Sequence, residues 1–321
     1  MTGGPKISII TPSLNHGRFL RETIRSIESQ SFVDYEHIVV DGGSTDGTLE
    51  ILHEHPGLRW ISERDDCILE AYWKAIRMAT GSYIVQCCVS DGFLDADWLQ
   101  RCATVLDGEP EISLVWGYPR YMSEDGVLGE VSYPEFRSRA APQGKEFLAL
   151  WLATGFWLPE GNYCVRAEVL RECFPPNAPD SPCRINPALQ FNYNFNTSGY
   201  LPRFLPVIAN YGRTHAGQRG QTLRDVESEI LAAYLQDVRG YKKRLFQREV
   251  VHRFRDGQGR IIGEVAAGDL SRYRMEILKW RLKRFCLSAR RIMRYDARTL
   301  LRKVRAKLGA PPKGEYVSGG T

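Results

Sequence analysis

The sequence predicts an α/β protein with a Rossmann-like, mostly parallel sheet flanked by helices, followed by a helical, basic C-terminal extension. Two observations support this prediction. Residues 7–89 alternate four times between apolar strand-like runs and helix-like segments, a pattern typical of parallel sheets. Residues 271–308 then carry fourteen Lys and Arg against two acids, with apolar residues recurring mostly every three or four positions, which indicates amphipathic helix.

The elements of the first half can be assigned in order. Four apolar runs predict strands, at ISIIT (7–11), at the run ending at Val40, at LRWIS (58–62) and at YIVQCCV (83–89). Between them, helical spacing predicts a helix over 18–31, a second that begins at Thr48 and a third over 67–78.

Polar residues follow each of these strands. The clusters are TPSLN (11–15), DGGSTDG (41–47), SERDD (62–66) and SDG (90–92). In parallel α/β sheets, ligands bind beyond the carboxyl ends of the strands. Four such ends with acids and hydroxyls therefore predict one polar site.

The second half has a different texture. Strands and turns with aromatic helices are expected after residue 112, and charged helix after 221, interrupted by a turn at FRDGQGRI (254–261). We therefore predict a domain over 1–220, with one half over 1–110 and another over 111–220, and an extension over 221–321.

Composition excludes several classes of protein. The chain is 43% hydrophobic and 25% charged, contains no run of 18 apolar residues, and shows no leader-like N-terminus, so we expect a cytoplasmic protein. Its eight cysteines contain no C-x-x-C pair, which argues against zinc or a disulfide framework. The loop after the first strand lacks G-x-G-x-x-G, and no G-K-[ST] occurs, which disfavours a dinucleotide oxidoreductase and excludes a P-loop hydrolase.

Together, the four strand ends resemble glycosyltransferase family 2, the GT-A type of nucleotide-sugar transferase. The matching stretches are ISIITPSLNHGRFLRETIRSIESQSF, EHIVVDGGSTDGTLEIL, SERDDCILEAYWKAIRMATGSYI and VSDGFLDADWL. The resemblance implies the GT-A fold and a transferase for cell-surface polysaccharide biosynthesis, which moves a sugar from a nucleotide-sugar donor, such as a UDP-sugar, to a glycan or lipid-linked acceptor. It also implies that residues 1–110 are the nucleotide-sugar half of the domain and that residues 111–220 are the acceptor half.

The resemblance also implies roles for individual residues. The nucleotide-binding positions would be Thr11, Pro12, Ser13, Asn15, Asp41, Ser44 and Asp65. Asp91 matches the acid of the metal-binding motif, and His215 aligns loosely with a histidine that helps bind metal or diphosphate. Asp41, Asp46 and Asp91 could instead cap turns, where Asp is favoured for backbone reasons.

A divalent metal, Mn²⁺ or Mg²⁺, is the expected cofactor. The leaving group is a diphosphate whose growing negative charge needs a cation. These metals prefer carboxylate oxygens and commonly use only one or two of them together with phosphates. Asp91 alone could therefore suffice on the protein side.

The sequence differs from the family pattern at the position expected for the general base. An acid is usual in the stretch that matches 186–195, yet no Asp or Glu occurs from 181 to 224. Glu160, in an aromatic loop, is one candidate for the catalytic base. The alternatives are an acceptor that enters already nucleophilic, or a non-catalytic nucleotide-sugar or glycan-binding protein.

Two further features have two interpretations each. Trp151, Phe156 and Trp157 could form core or stack on a sugar. The basic segment 278–308 could dock at the inner face of an anionic membrane, or pack on its own domain or a partner copy. Nucleic acid is not expected as a partner, because no nucleic-acid-binding module is recognisable.

Overall fold

The computed structural model describes residues 4–133, 136, 141–176, 186–218 and 224–286. The strands are β1 (Ile7–Ser13), β2 (Tyr35–Asp41), β3 (Arg59–Ser62), β4 (Tyr83–Gln86), β5 (Gly92–Phe93), β6 (Ile112–Met122), β7 (Leu128–Val131), β8 (Cys164–Arg166), β9 (Leu201–Arg213), β10 (Arg253–Arg255) and β11 (Ile261–Glu264). The helices are α1 (Gly17–Glu28), α2 (Thr48–His53), α3 (Ile68–Met78), α4 (Trp98–Gly108), α5 (Phe147–Thr154), α6 (Ala167–Cys173), α7 (Pro187–Ser198), α8 (Arg224–Phe246) and α9 (270–286).

One mixed sheet organises the fold, in the order β3-β2-β1-β4-β8-β6-β9-β5, with β7 paired to the outer part of β6. Strands β1 to β4 are parallel to one another. Strand β8 runs antiparallel to both of its neighbours, β6 and β9 are parallel, and β5 is antiparallel to β9. The predicted fold class, a mostly parallel α/β sheet flanked by helices, is confirmed.

Burial explains why the first strands form. Strand β1 is buried along its whole length, as the run ISIIT predicts for a central strand. In β2, Val39 packs with α1 and α2 while Ile38 and Val40 join the main core, as alternation along a strand requires. Each parallel strand therefore delivers its carboxyl end to the same edge of the sheet.

One expectation about local structure needs correction, and the turn predicted at FRDGQGRI is present. Strand β4 ends at Gln86 instead of continuing to 89, because residues 87–91 turn and the amide of Asp91 donates to the carbonyl of Cys88 (3.1 Å). The turn at FRDGQGRI belongs to a β-hairpin, β10–β11, in which Asp256 Oδ1 accepts from the amides of Gln258 and Arg260 (both 2.9 Å).

The part of the chain after 221 packs on the earlier part. Tyr234 on α8 is buried and accepts a hydrogen bond from Nε1 of Trp151 (3.0 Å), so Trp151 is core. The hairpin packs beside the C-terminus of α7, where the amide of Arg255 donates to the carbonyl of Gly199 (2.9 Å). The basic segment 287–308 lies outside the described residues. Among the helices that are described, none has the length and apolar character needed to cross a bilayer.

We predict that Gly199→Ala destabilises the protein by at least about 2 kcal/mol more than Gly126→Ala does. Both glycines have a left-handed φ (83° and 84°), so both substitutions carry the same backbone penalty. Only at Gly199 would the new Cβ collide, at 1.7 Å from the carbonyl oxygen of Arg253; at Gly126 the nearest atom is 3.8 Å away. Urea unfolding of both variants gives the comparison, and equal losses would mean that β10 does not pack against α7.

Candidate functional site

Two loops at the carboxyl edge of the sheet are joined by side-chain hydrogen bonds. The amide of Asn15 donates to Ser44 Oγ (2.7 Å), and Asn15 Oδ1 accepts from the amide of Thr45 (2.9 Å). Asn15 has φ 53°, a left-handed conformation that asparagine tolerates. Asp46 accepts from the amide of Gly17 (3.0 Å) and from the hydroxyl of Thr48, at the start of α1 and α2 respectively.

Asp41 organises the loop that follows β2. Its side chain is fully buried, and Oδ2 accepts from the amides of Gly43 (3.0 Å) and Ser44 (2.8 Å) and from the hydroxyl of Ser62 (2.7 Å). The Ser44 hydroxyl donates to Oδ1. Four bonds from the protein hold this carboxylate, so its contacts in this structure fix the loop. A contact between Asp41 and a nucleotide stays a prediction.

The end of β1 supplies buried polar groups. Thr11 Oγ1 lies 2.9 Å from Nε2 of His37, and burial lowers the pKa of His37 to about 3, so this histidine is neutral. Pro12, the residue after Thr11, is also buried. The hydroxyl of Ser13 is also buried and has no hydrogen-bond partner among the described residues. Ser13 is therefore the β1 side chain with an unused donor near the loops of Asn15 and Ser44.

Asp65 lies over the Asp41 loop. Its carboxylate comes within 2.9 Å of the place where a side chain on Gly42 would begin, so a larger residue at 42 would have to displace this carboxylate. Burial raises the pKa of Asp65, opposed by Lys74 and supported by Glu70 and Asp41. An acid with a raised pKa at the mouth of a polar loop is suited to hydrogen bonding with a ligand.

Asp91 accepts a bond from across the site instead of capping its own turn. Ser90 before it has φ 89°, and this turn aims the Asp91 carboxylate at β9, where Oδ1 accepts from the amide of Arg213 (3.1 Å). The carbonyl of Asp91 accepts from Thr23 on α1 (2.8 Å). Burial raises the pKa of Asp91 to about 7, with a further increase from Glu160 and a decrease from Arg213.

Glu160 lies next to Asp91 in the fold. Asp91 Oδ2 is 3.3 Å from where a side chain on Gly161 would begin, and the two carboxyls raise each other's cost of ionisation. The hydroxyl of Tyr72, a fully buried residue on α3, donates to Glu160 Oε1 (2.7 Å) and lies 3.0 Å from Cys88 Sγ. Two acids brought together from the turn after β4 and from the 155–163 loop therefore form the centre of the candidate site.

Amide side chains support the loop that carries Glu160. Asn162 is fully buried, and its Nδ2 donates to the carbonyl of Gly117 (2.9 Å) and to Oδ1 of Asn210 (3.0 Å). The amide of Leu158 donates to Oδ1 of Asn192 on α7 (2.8 Å). The acid-free helix α7 thus contributes support to the loop, through an asparagine.

His215 lies at the other side of the site. It is buried against Phe19 (ring centroids 4.9 Å apart) and edge-on to His16 (5.0 Å), and its Nδ1 has no hydrogen-bond partner among the described residues. Burial, His16 and Arg18 lower its pKa, so it is neutral and able to ligate. Arg213, the last residue of β9, already makes hydrogen bonds within the protein. It donates to the carbonyls of Ser90 and Glu124 and to the carboxylate of Glu22.

The donor set is compatible with a divalent cation, although its members are not gathered around one point. The described residues contain no group of three or more metal-type side chains. Asp91 nevertheless has an oxygen, Oδ2, with no protein hydrogen bond described, and next to Glu160 it lies where a cation would relieve repulsion between two acids. A site of one or two carboxylates completed by phosphates is typical of Mg²⁺.

Sequence reasoning missed three functional neighbours. Tyr72 lies within a helical pattern that indicates only core, Asn192 in a stretch where an acid was expected, and His16 in a turn. Asn192 and Leu158 are 34 positions apart in the chain, and His16 and His215 are 199 positions apart. Contacts between residues so far apart leave no local pattern in the sequence.

A sheet whose parallel strands end in polar loops, and in which the acid after β4 meets an acid from the 155–163 loop, defines an α/β protein with a candidate ligand cleft at its carboxyl edge. Residues 8–152 match the family model "Glycosyl transferase family 2". This match, over a little less than half of the chain, agrees with the family resemblance predicted from the strand ends.

Curated relatives match between a third and two fifths of the chain. It is 33% identical over 128 residues to a chondroitin synthase of Escherichia coli, covering 39% of this chain and 18% of the relative. It is 35% identical over 118 residues to a PGL/p-HBAD biosynthesis glycosyltransferase of Mycobacterium bovis (strain BCG / Pasteur 1173P2), covering 35% and 46%. The chain thus spans less than half the length of these two relatives.

Similar solved structures include S. aureus TarS 1-349 in complex with UDP-GlcNAc, with a TM-score of 0.48, 15% identity and coverage of 75% of this chain and 73% of that one. The mannosyltransferase PcManGT from Pyrobaculum calidifontis, in complex with GDP-Man and Mn²⁺, has a TM-score of 0.48, 19% identity and coverage of 73% and 64%.

We predict a pH-dependent effect of Asp91→Asn on stability in a chelating buffer. The pKa of Asp91 in the fold, about 7, lies above that of an exposed aspartate, so its carboxyl contributes stability at low pH that is lost as the pH rises through 7. Asparagine stays neutral throughout. The free energy of unfolding of the variant, relative to wild type, should therefore rise by about 2 kcal/mol between pH 5 and pH 8.

Asp46→Asn is the matched control. Burial tends to raise the pKa of Asp46, but hydrogen bonds from Thr48 and Gly17 outweigh it, so the pKa is lowered and lies below the pH 5–8 window. Its effect on stability should be constant across that window. A constant effect for Asp91→Asn as well would show that this carboxyl is not held in an environment that disfavours its charge.

Proposed function

We propose that this chain is an inverting glycosyltransferase that uses a nucleotide-sugar donor and a divalent metal. The observation that carries the proposal is the meeting of Asp91 and Glu160 at the carboxyl edge of a family 2 domain. One acid follows a strand of the nucleotide-sugar half, and the other comes from the acceptor half. Such a pair suits a reaction in which one group neutralises a leaving diphosphate and another takes a proton.

On the donor side, we assign the nucleotide to the loops after β1, β2 and β3. Ser13 offers an unpaired buried hydroxyl, and Asp65 offers a carboxyl with a raised pKa. Thr11, Pro12, Asn15, Asp41 and Ser44 shape this cleft. Because the Asp41 oxygens already accept four bonds, we assign direct contact with the base or ribose to Asp65.

At the reacting end, Asp91 would hold Mn²⁺ or Mg²⁺, with His215 as a further ligand or a diphosphate contact. The metal, when bound, supplies positive charge beside the leaving diphosphate. Asp91 and His215 then orient the donor, and the neutral imidazole of His215 keeps its Nδ1 available. The proximity of Glu160 adds a second negative charge that favours cation binding.

Glu160 is the proposed general base. Its carboxylate removes the proton from the acceptor hydroxyl as that oxygen forms a bond to the anomeric carbon. The bond from this carbon to the diphosphate oxygen breaks, and its electron pair leaves with the nucleotide. One displacement inverts the anomeric configuration. The hydrogen bond from Tyr72 favours the charged form of Glu160, which a base requires.

For the acceptor we propose a glycan or lipid-linked glycan in cell-surface polysaccharide biosynthesis, used in the cytoplasm at the inner face of the membrane. Trp157, 36% exposed and three residues from Glu160, offers an aromatic face for a sugar ring, whereas Trp151 and Phe156 are buried in the core. The acid-free helix α7 keeps one rival open, a nucleotide-sugar or glycan-binding protein without turnover.

The test measures thermal unfolding with UDP-, GDP- and dTDP-sugars, each with Mn²⁺ or with a chelator, and assays the released nucleotide in the same samples. We expect a metal-dependent rise in Tm with one nucleotide class, lost in Asp91→Ala; a ligand at a hundredfold its Kd adds about 2.7 kcal/mol. Glu160→Gln should keep this rise and lower kcat at least 100-fold.

Glu168→Gln, on an exposed glutamate of α6, is the control and should retain wild-type turnover. A metal-dependent shift without nucleotide release in wild type, with any of several glycan acceptors, would favour the binding protein. No shift with any donor would contradict the donor site itself. Full turnover in Glu160→Gln would remove Glu160 from the role of base.

We also predict that Tyr72→Phe moves the acidic limb of kcat/KM to higher pH. Loss of the donated hydrogen bond disfavours the Glu160 carboxylate, so more alkaline solution is needed to ionise it, by about 1 pH unit. The control is Tyr83→Phe, which removes a similar hydrogen bond, to Asp107 (2.6 Å), at the start of β4. This variant should leave the pH profile of kcat/KM unchanged. Equal profiles for Tyr72→Phe and wild type would count against Glu160 as the titrating base.

A further inference from the structure

Helix α9 has two apolar faces, and only one of them packs against the part of the chain that the structure describes. The inner face holds the helix on the domain: Leu270 and Ile277 are buried, and the ring of Trp280 lies 6.0 Å from that of Phe136. Arg284 adds a hydrogen bond from Nη1 to the carbonyl of Thr154 (2.9 Å). The position of the helix on the domain is therefore fixed by contacts on this face.

The outer face of α9 exposes a stripe of large apolar side chains, which we call the outer stripe: Met275, Leu278, Leu282 and Phe285, exposed by 56, 49, 56 and 72%. At about 100° per residue, these four side chains fall within about 80° of the helix circumference. Single exposed apolar residues are ordinary, but four on one stripe indicate an interaction surface.

Cations flank the outer stripe on both sides. On the helical wheel, Arg274 and Arg281 lie along one side, and Arg272 and Lys279 along the other; all four are exposed. The acid in this segment, Glu276, lies away from the stripe and pairs with Lys279 (2.7 Å). An apolar stripe between two cationic rows is the pattern of a helix that lies in a membrane interface.

The positive charge extends beyond α9. Lys242 on α8 lies close to both Arg281 and Arg239, and burial together with these two arginines lowers the pKa of Lys242. The sequence from 287 to 308 then adds eight Lys and Arg against one acid. Such a collection of like charges costs free energy in water and is relieved by an anionic partner.

We propose that α9 is an interfacial helix whose outer stripe inserts into the surface of a bilayer that contains anionic lipids. The apolar stripe would enter the acyl boundary, and the flanking Arg and Lys would meet lipid phosphates. A second copy of the chain fits less well, since face-to-face pairing of two stripes would bring four cationic rows together. The inference goes beyond the transferase proposal and does not depend on it, because lipid binding requires no donor.

The test is flotation of the full chain with vesicles, in the absence of nucleotide and metal. We expect binding to vesicles of equal parts phosphatidylcholine and phosphatidylglycerol, and little binding to phosphatidylcholine alone. Each cation near an anionic surface adds about fivefold in affinity, so Arg272→Gln with Arg281→Gln should weaken binding about 30-fold.

A second double variant tests the stripe. Leu282→Gln with Phe285→Ser should weaken binding to the anionic vesicles about tenfold or more, because apolar area can no longer be buried. Val33→Gln, at a residue 85% exposed on another element, and Arg25→Gln with Arg77→Gln, which removes the same charge from α1 and α3, are the matched controls and should bind like wild type.

All these substitutions are at exposed positions, and unchanged Tm values check that folding is intact. Wild-type binding that does not depend on anionic lipid, or binding that survives loss of the stripe, would overturn the proposal. So would a wild-type dimer in sedimentation velocity that becomes monomeric in Leu282→Gln with Phe285→Ser and binds no vesicles, since the stripe would then be a contact between copies. Failure of the donor tests would leave this result unaffected.

Discussion

The contact between the Asp91 carboxylate and the backbone of Arg213 joins the two halves of the site. Asp91 follows β4, in the parallel part of the sheet, and Arg213 ends β9, in the mixed part. The Arg213 side chain extends the link, since its guanidinium bonds to the carbonyl of Ser90 and the carboxylate of Glu22 on α1. The nucleotide loops, the candidate metal acid and the histidine after β9 all take their relative positions from this junction.

Electrostatics explain why the junction is suited to a charged ligand. The amide of Arg213 donates to the Asp91 carboxylate, which also lies beside Glu160. Without a cation, burial and this second acid both disfavour the ionised form of Asp91. Arg213 offsets part of this cost, but its guanidinium is already shared among carbonyls and Glu22. Charge in this site is therefore incompletely balanced by the protein, and the imbalance has the sign that attracts a divalent ion.

The sequence predicted the parallel half of the site well, because topology there follows from local pattern. Alternating strands and helices place all strand ends at one edge, so the loops of Asn15 and Asp41 had to meet. Detail within the loops was less accessible: that Asp41 is saturated by Gly43, Ser44 and Ser62 is a matter of side-chain rotamers. Asp91 was found as an acid near a strand end, although the strand ends at Gln86.

The acceptor half could be predicted less well, since its strands are brought together by long connections. Strand β8 inserts between β4 and β6, and the buried carboxamide of Asn162 depends on that insertion for its bonds to Gly117 and Asn210. An acid expected on α7 is replaced by Asn192, whose bond to Leu158 supports the loop of Glu160 instead. Residues that act through a neighbour leave no motif in the chain.

The position of α9 relates the two proposals to each other. Arg284 bonds to the carbonyl of Thr154, and the hydroxyl of Thr154 accepts from the amide of Phe156, where the loop that carries Glu160 begins. Helix α9 is thus fastened to the acceptor half, and the loops of Asn15 and Asp41 belong to the other half of the sheet. A bilayer that bound the outer stripe would therefore lie on the acceptor side, so an acceptor carried by a lipid could reach Glu160 while a water-soluble nucleotide entered from the opposite half.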